Sequence, residues 1–128
     1  MDFKKLLAYQ KAFDLAMDIF EISKNFPKEE TYALTDQIRR SSRSVNANLA
    51  EAYRKRVYPK HYNSKLTDAD AENSEINRWL YFALACNYIS KEQHIDLSNE
   101  GIEVGKLINY MINNPGNSES IQNDYLVN

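Results

Sequence analysis

Long stretches without a helix-breaking residue are the feature that most constrains the fold of this sequence. Only three glycines and three prolines occur in 128 residues. An all-β domain needs frequent turns, which glycine and proline usually supply. The length also suits one domain with a single core. The sequence therefore predicts an all-α protein of one domain.

The clearest periodicity lies between Lys60 and Ile89, where residues of one stripe recur at alternating steps of three and four. Such spacing is typical of the seam of a helical bundle. Asn73, in the middle of the stripe, resembles the polar residue that fixes the register of paired helices at some cost in stability. The stripe consists of Tyr62, Leu66, Ala69, Asn73, Ile76, Leu80, Ala83 and Asn87.

Three other segments also have helical periodicity. The first, 3–25, has two adjacent apolar stripes. Together they form an apolar arc that is wider than the single face that a helix of a four-helix bundle buries. The second extends over 31–54. The last begins after Ser90, where Gln93 completes a capping box. We therefore expect four helices that bundle and self-associate through the extra apolar surface.

The four helical segments form one expected domain. Pro115 and Gly116 would stop the fourth helix, and the polar segment that follows contains few apolar side chains that could be buried. We therefore expect a four-helix bundle domain over 1–114 and a mobile tail over 115–128.

The net charge of −2 hides a segregation of charge along the chain. Residues 36–65 carry eight basic and two acidic residues, whereas 66–128 carry three basic and ten acidic residues. A basic block indicates a polyanionic partner such as RNA or DNA. It is equally consistent with pairing to acidic helices of the same or a neighbouring chain. The sequence leaves both interpretations open.

The basic block supplies the candidate nucleic-acid-binding residues. Cations neutralise phosphates, and aromatic side chains among them, here Tyr58 and Tyr62, stack on unpaired bases. Solvated charge near a turn is the alternative explanation. The candidates are Arg39, Arg40, Arg43, Arg54, Lys55, Arg56 and Lys60.

The sequence contains no recognisable catalytic or metal-binding constellation. His61, His94 and Cys86 are isolated from one another and from paired carboxylate ligands. No glycine-rich nucleotide-binding motif is present. Cys86 lies in an apolar stretch, which favours a buried and unreactive thiol. We expect no enzyme activity, no metal and no cofactor.

The longest apolar run, Leu80–Cys86, has about seven residues, whereas a membrane span needs about 20. The single cysteine cannot form an intramolecular disulfide, and no signal-peptide pattern opens the sequence. We therefore expect a cytoplasmic protein that does not span a membrane.

Three short segments resemble one known family. Phe26–Glu30 has the pattern F-P-x-x-E, Leu34–Arg40 contains Q-I-R-R, and Asn48–Glu51 matches N-x-A-E. Their order and spacing resemble those of the 23S rRNA-intervening-sequence proteins, also called four helix bundle or S23 ribosomal proteins. The resemblance covers roughly residues 3–112.

This resemblance implies an antiparallel up-down four-helix bundle that assembles as a ring-shaped homo-oligomer, a pentamer. A relative in that group, the accessory variability determinant of diversity-generating retroelements, forms such a pentamer and binds nucleic acid together with a reverse transcriptase. The implied function is a non-catalytic homo-oligomeric scaffold that binds RNA, DNA or a nucleic-acid-processing protein through the basic candidates. A protein–protein interaction module with no nucleic-acid role is the alternative.

Five polar residues lie at or near inward positions of the predicted helices. Buried Asn, Gln and Glu side chains that hydrogen-bond across helices would fix the register of the bundle. Direct contact with a ligand is the alternative role. These residues are Gln37, Asn48, Glu51, Asn73 and Glu75.

Overall fold

The computed structural model describes residues 2–115, and α-helices account for most of this range. One short 3-10 turn, Phe3–Lys5, precedes the first helix, and a second, Lys28–Glu30, precedes the second helix. Residues 2–115 contain no β-strand. The four helices are α1 (Leu7–Ser23), α2 (Leu34–Arg54), α3 (Pro59–Ala85) and α4 (Lys91–Asn113).

Each helix packs against two others. The first contacts α2 and α4, and α3 contacts the same two helices. This arrangement encloses one apolar core, so the predicted all-α four-helix bundle is confirmed at the level of helix number and packing. The predicted tail, 115–128, lies outside the described residues apart from Pro115.

Local sequence signals explain where α3 and α4 begin. Pro59 occupies the first turn of α3, where its missing N–H would have no helical partner anyway. Ser90 caps α4: its hydroxyl accepts from the Gln93 backbone N–H at 3.0 Å, and the Gln93 side chain accepts from the Ser90 N–H at 2.9 Å. The predicted capping box is therefore confirmed.

The predicted seam of α3 is confirmed from Tyr62 to Ala83, because each of its residues in that range is buried. Its last position is wrong. The helix ends at Ala85, and Asn87 is exposed with φ of 62°. The N–H groups of Asn87 and Tyr88 donate to carbonyls of the last turn, which is the Schellman pattern. Asparagine tolerates this left-handed conformation better than most residues do.

The two apolar stripes of α1 have different surroundings. Ala8, Ala12, Leu15 and Ile19 of one stripe are buried in the core. The other stripe is buried at Leu6 but reaches the surface farther along, where the Phe13 side chain is 50% exposed. One chain therefore buries only part of the wide apolar arc that the sequence predicts.

Candidate nucleic-acid interface

Three arginines share the outer face of α2. Arg40, Arg43 and Arg54 are exposed, and at about 100° per residue they fall within about 60° of one another around the helix axis. At about 1.5 Å per residue, Arg40 and Arg54 are about 21 Å apart along that axis. The small residues Ala47 and Ala50 lie between them on the same side. We call Arg40, Arg43 and Arg54 the α2 basic face.

The three arginines of the α2 basic face differ in whether a carboxylate group lies close to them. Arg40 Nη1 lies 3.8 Å from Asp36 Oδ2, but both side chains are exposed, so this ion pair is weak. Burial and the neighbouring Glu75 carboxylate raise the pKa of Glu72 on α3, while Arg40 opposes that shift. Among the described residues, Arg43 and Arg54 form no ion pair.

Arg39 is a structural residue rather than a free surface cation. Its Nε donates to Ser23 Oγ at 2.8 Å, and its Nη2 lies 3.5 Å from the Phe20 carbonyl oxygen. The guanidinium carbon also lies 4.8 Å from the centre of the Phe20 ring. Arg39 thereby ties α2 to the last turns of α1. Arg43 reaches the same ring at 5.8 Å while remaining exposed.

The cations at the carboxyl end of α2 also differ in exposure. Arg56 Nη1 donates to the Tyr53 carbonyl oxygen at 2.8 Å, and the guanidinium carbon lies 4.2 Å from the centre of the Tyr53 ring. Arg56 and Lys55 are both half-buried. Lys60, in the first turn of α3, is exposed.

The turn between α2 and α3 exposes an aromatic side chain beside these cations. Tyr58 is 60% exposed, and its ring meets the His61 ring edge-on with centroids 6.2 Å apart. An exposed aromatic ring that is close in sequence to Arg54 and Lys60 can stack on an unpaired base while the cations contact the backbone phosphates. Tyr62, the second predicted aromatic, is instead buried in the core.

The seven basic candidates therefore do not form one continuous patch. They divide into the α2 basic face, a group at the α2–α3 turn, and Arg39 in its bridge to α1. The axial distance along α2 separates Arg40 from the turn. The sequence alone does not distinguish the seven, because periodicity does not reveal which cationic groups already have partners inside the chain.

The five predicted polar residues also differ in their contacts. Asn73 hydrogen-bonds across helices, since its Nδ2 donates to the Gly101 carbonyl oxygen at 2.9 Å. Asn48 donates to Ser44 within α2, and Glu75 accepts from Trp79 Nε1 at 3.2 Å within α3. Gln37 and Glu51 are half-buried. Register control by this group thus rests on the α3–α4 contact of Asn73.

Two hydrogen bonds between distant parts of the chain were not predicted from the sequence. Asn46 Nδ2 on α2 donates to the Tyr9 carbonyl oxygen on α1 at 3.0 Å. The Tyr88 hydroxyl donates a hydrogen bond to Glu30 Oε2 at 2.9 Å, and this bond raises the pKa of Tyr88 to about 12. Asn46 lies two positions before Asn48, the nearest predicted polar residue, and no spacing rule pairs Glu30 with Tyr88.

An acidic cluster lies on the side of the bundle formed by α1 and α4. Burial, a hydrogen bond with Asp18 and the nearby charges of Asp14 and Asp96 raise the pKa of Glu100 to about 7. Four carboxyl groups from two helices thus share one surface. This acidic surface is the counterpart of the basic residues on α2.

The thiol of Cys86 is exposed, so the predicted burial of this residue is wrong. The helix ends one residue earlier, which places Cys86 in the turn. Within residues 2–115, no group of three or more His, Cys, Asp or Glu side chains is arranged so that it could hold a metal ion. No helix in the same range has both the length and the hydropathy needed to cross a membrane.

Comparisons with known proteins extend these observations. The model of the 23S rRNA-intervening sequence protein family matches residues 4–110. A crystal structure from Bacteroides thetaiotaomicron, of a protein with unknown function from the S23 ribosomal protein family, is 28% identical with a TM-score of 0.75. That match covers 83% of this chain and 95% of the other. No curated protein compared with the chain matches it. Because the family match extends over most of the sequence, the chain belongs to the 23S rRNA-intervening sequence protein family.

Proposed function

We propose that this protein is a non-catalytic, homo-oligomeric scaffold that binds single-stranded RNA or DNA through the α2 basic face and the α2–α3 turn. The observation that carries the proposal is the shared exposure of Arg40, Arg43 and Arg54 on one helix face. Tyr58 and Lys60, both exposed, add an aromatic ring and a further cation near the α2–α3 turn. Cations that lack a strong internal partner remain available to neutralise phosphates.

Self-association belongs to the same proposal. Each chain would form an antiparallel up-down bundle, and several copies would assemble as a ring, most simply a pentamer. Exposed apolar side chains on α1, α3 and α4 support assembly, because such patches mark protein interfaces. A ring would present one basic surface per subunit, and binding at one surface would raise the effective concentration of nucleic acid at the next.

The α2 basic face is tested with the triple variant R40Q/R43Q/R54Q. We expect its affinity for a labelled single-stranded RNA to fall strongly, and the slope of log affinity against log salt to decrease by about two to three, since three phosphate contacts are lost. The matched control R78Q/K91Q/K106Q removes three cations from exposed positions on α3 and α4. Equal affinities of the two triple variants would contradict the proposal.

A second candidate function is a protein-interaction module in which the basic face of one copy pairs with an acidic partner surface. The acidic cluster around Glu100 and Asp18 favours it, because that cluster complements the charge of α2. Light scattering across a salt series separates the two functions. Assembly that dissociates in high salt, with no RNA binding at low salt, would favour the interaction module.

A further inference from the structure

A groove at the carboxyl end of α2 combines cations with buried hydrogen-bond donors. It has a volume of about 450 Å³ and lies between the first residues of the chain and the last turns of α2. Ala47 and Ala50 leave it open, and Phe3, Tyr53, Arg54 and Arg56 form much of its wall. We call it the α2-end groove. Its volume is within the range of about 300–1,000 Å³ that is typical of small-ligand sites.

Arg56 is held in a fixed orientation at this groove. Its guanidinium stacks over the Tyr53 ring, and its Nη1 is already bonded to the Tyr53 carbonyl oxygen. Its Nε is buried, and no hydrogen-bond partner for it exists among the described residues. A guanidinium with a fixed plane loses less conformational entropy when it binds a phosphate than a free surface cation does.

A second potential donor is the hydroxyl of Tyr53, whose ring stacks against the Arg56 guanidinium. Tyr53 is 3% exposed, and its hydroxyl has no hydrogen-bond partner within residues 2–115. A buried donor without a partner destabilises the folded state, and a ligand acceptor that reaches it would remove that cost. Arg54 is exposed and supplies a second positive charge, while Glu51 contributes one opposing carboxylate to the lining.

We propose that the α2-end groove binds one phosphate group of a single-stranded nucleic acid, with Arg56 as the oriented donor and Arg54 as the second cation. The Tyr53 hydroxyl donates a further hydrogen bond to the phosphate. The half-buried Phe3 ring offers an aromatic surface for the adjoining base. This inference rests on the proposed function and names the part of the surface that recognises phosphate by geometry rather than by charge alone.

The variant R56K separates geometry from charge. Lysine keeps the positive charge but cannot form the planar fork, so we expect the affinity for a labelled oligouridylate to fall about tenfold. The matched variant R78K, at an exposed arginine on α3 outside the proposed binding surface, should bind like the wild type. Y53F removes a hydroxyl that has no hydrogen-bond partner within residues 2–115, so it should fold normally and still bind several-fold more weakly. Melting temperatures of all three variants check folding.

Competition identifies the recognised group. Adenosine monophosphate and inorganic phosphate should displace the oligouridylate from the wild type more effectively than adenosine or an equal ionic strength of chloride does. If the wild type binds RNA while R56K and Y53F bind it equally well, the groove assignment is overturned and the proposed function stands. If the wild type binds no RNA, both are overturned. If polyglutamate displaces the oligouridylate as effectively as adenosine monophosphate does, the groove binds an acidic protein segment and the phosphate assignment is overturned.

Discussion

At the scale of single residues, Arg39 and Arg40 are neighbours in sequence but have different surroundings. Arg39 bridges α1 and α2 through Ser23 and Phe20, whereas the ion pair of Arg40 is exposed. We expect R39Q to lower the free energy of unfolding by about 1–2 kcal/mol. R40Q should change it by less than about 0.5 kcal/mol. Urea unfolding of both variants checks this, and equal losses would contradict the bridging role of Arg39.

This difference shows how far the sequence could predict the candidate site. The basic block and its residue numbers are visible in the sequence, because charge needs no structure to count. The bridge of Arg39 to Ser23 joins residues 16 positions apart, and the stacking of Arg56 on Tyr53 depends on how the chain leaves α2. Neither contact follows from helical periodicity.

Glu100 should make stability depend on pH. Its pKa is raised in the folded protein to about 7 from an ordinary value of 4.5, chiefly by burial and then by Asp18. A raised carboxyl pKa means that the folded state holds the proton more tightly. The resulting stabilisation is present below about pH 4.5 and is lost as the pH rises to about 7.

The variant E100Q tests this pH dependence. Glutamine resembles the protonated carboxyl group and can still donate to Asp18, so the variant should gain stability relative to the wild type as the pH rises from 4.5 to 7. Melting temperatures measured across this range follow the difference. E92Q removes a carboxylate from the first turn of α4 and serves as the control. Parallel curves for E100Q and the wild type would contradict the assignment.

At the scale of helical elements, two glycines of α4 should respond oppositely to alanine. A Cβ at Gly101 would lie 3.9 Å from Leu15 Cδ2, an ordinary contact, whereas a Cβ at Gly105 would lie 3.2 Å from Asn73 Nδ2. We therefore expect G101A to stabilise the protein by about 0.5–1 kcal/mol through helix propensity. G105A should destabilise it by about 1 kcal/mol, because Asn73 is held by Gly101.

A double variant assigns that cost to Asn73. If the crowding comes from its side chain, N73A/G105A should be more stable than the sum of the two single changes predicts. Denaturant unfolding of the four proteins in the cycle measures this coupling. Additive effects would mean that another contact opposes alanine at position 105.

Helix periodicity predicted the elements better than their ends. The seam of α3 follows from spacing alone, because steps of three and four place residues on one face whatever the rest of the chain does. The end at Ala85 did not follow, since Asn87 continues the same spacing. Its left-handed conformation ends the helix instead. A polar residue at a seam position near a helix end therefore has two interpretations that spacing cannot separate.

At the scale of the whole molecule, the apolar surface left outside the core argues for assembly. Phe82 is 58% exposed and, with Leu34 and Trp79, lines an apolar cleft of about 380 Å³ between α2 and α3. Phe13 is 50% exposed on α1. Burying such surface between copies gives a favourable free energy of roughly 25 cal/mol for each Å² of apolar area. The chain mass of 14.9 kDa makes each added subunit easy to resolve.

We expect the wild type to elute with a mass several times that of one chain in chromatography with light scattering. F82E should lower this mass, because a carboxylate cannot be buried in an apolar interface without a partner. Y32E is the control, because it introduces the same charge at a residue that is 94% exposed and lies outside the cleft. If F13E lowers the mass and F82E does not, the interface lies on α1 instead. A new charge disrupts assembly only where the interface between copies would bury it. A monomeric wild type would contradict self-association itself.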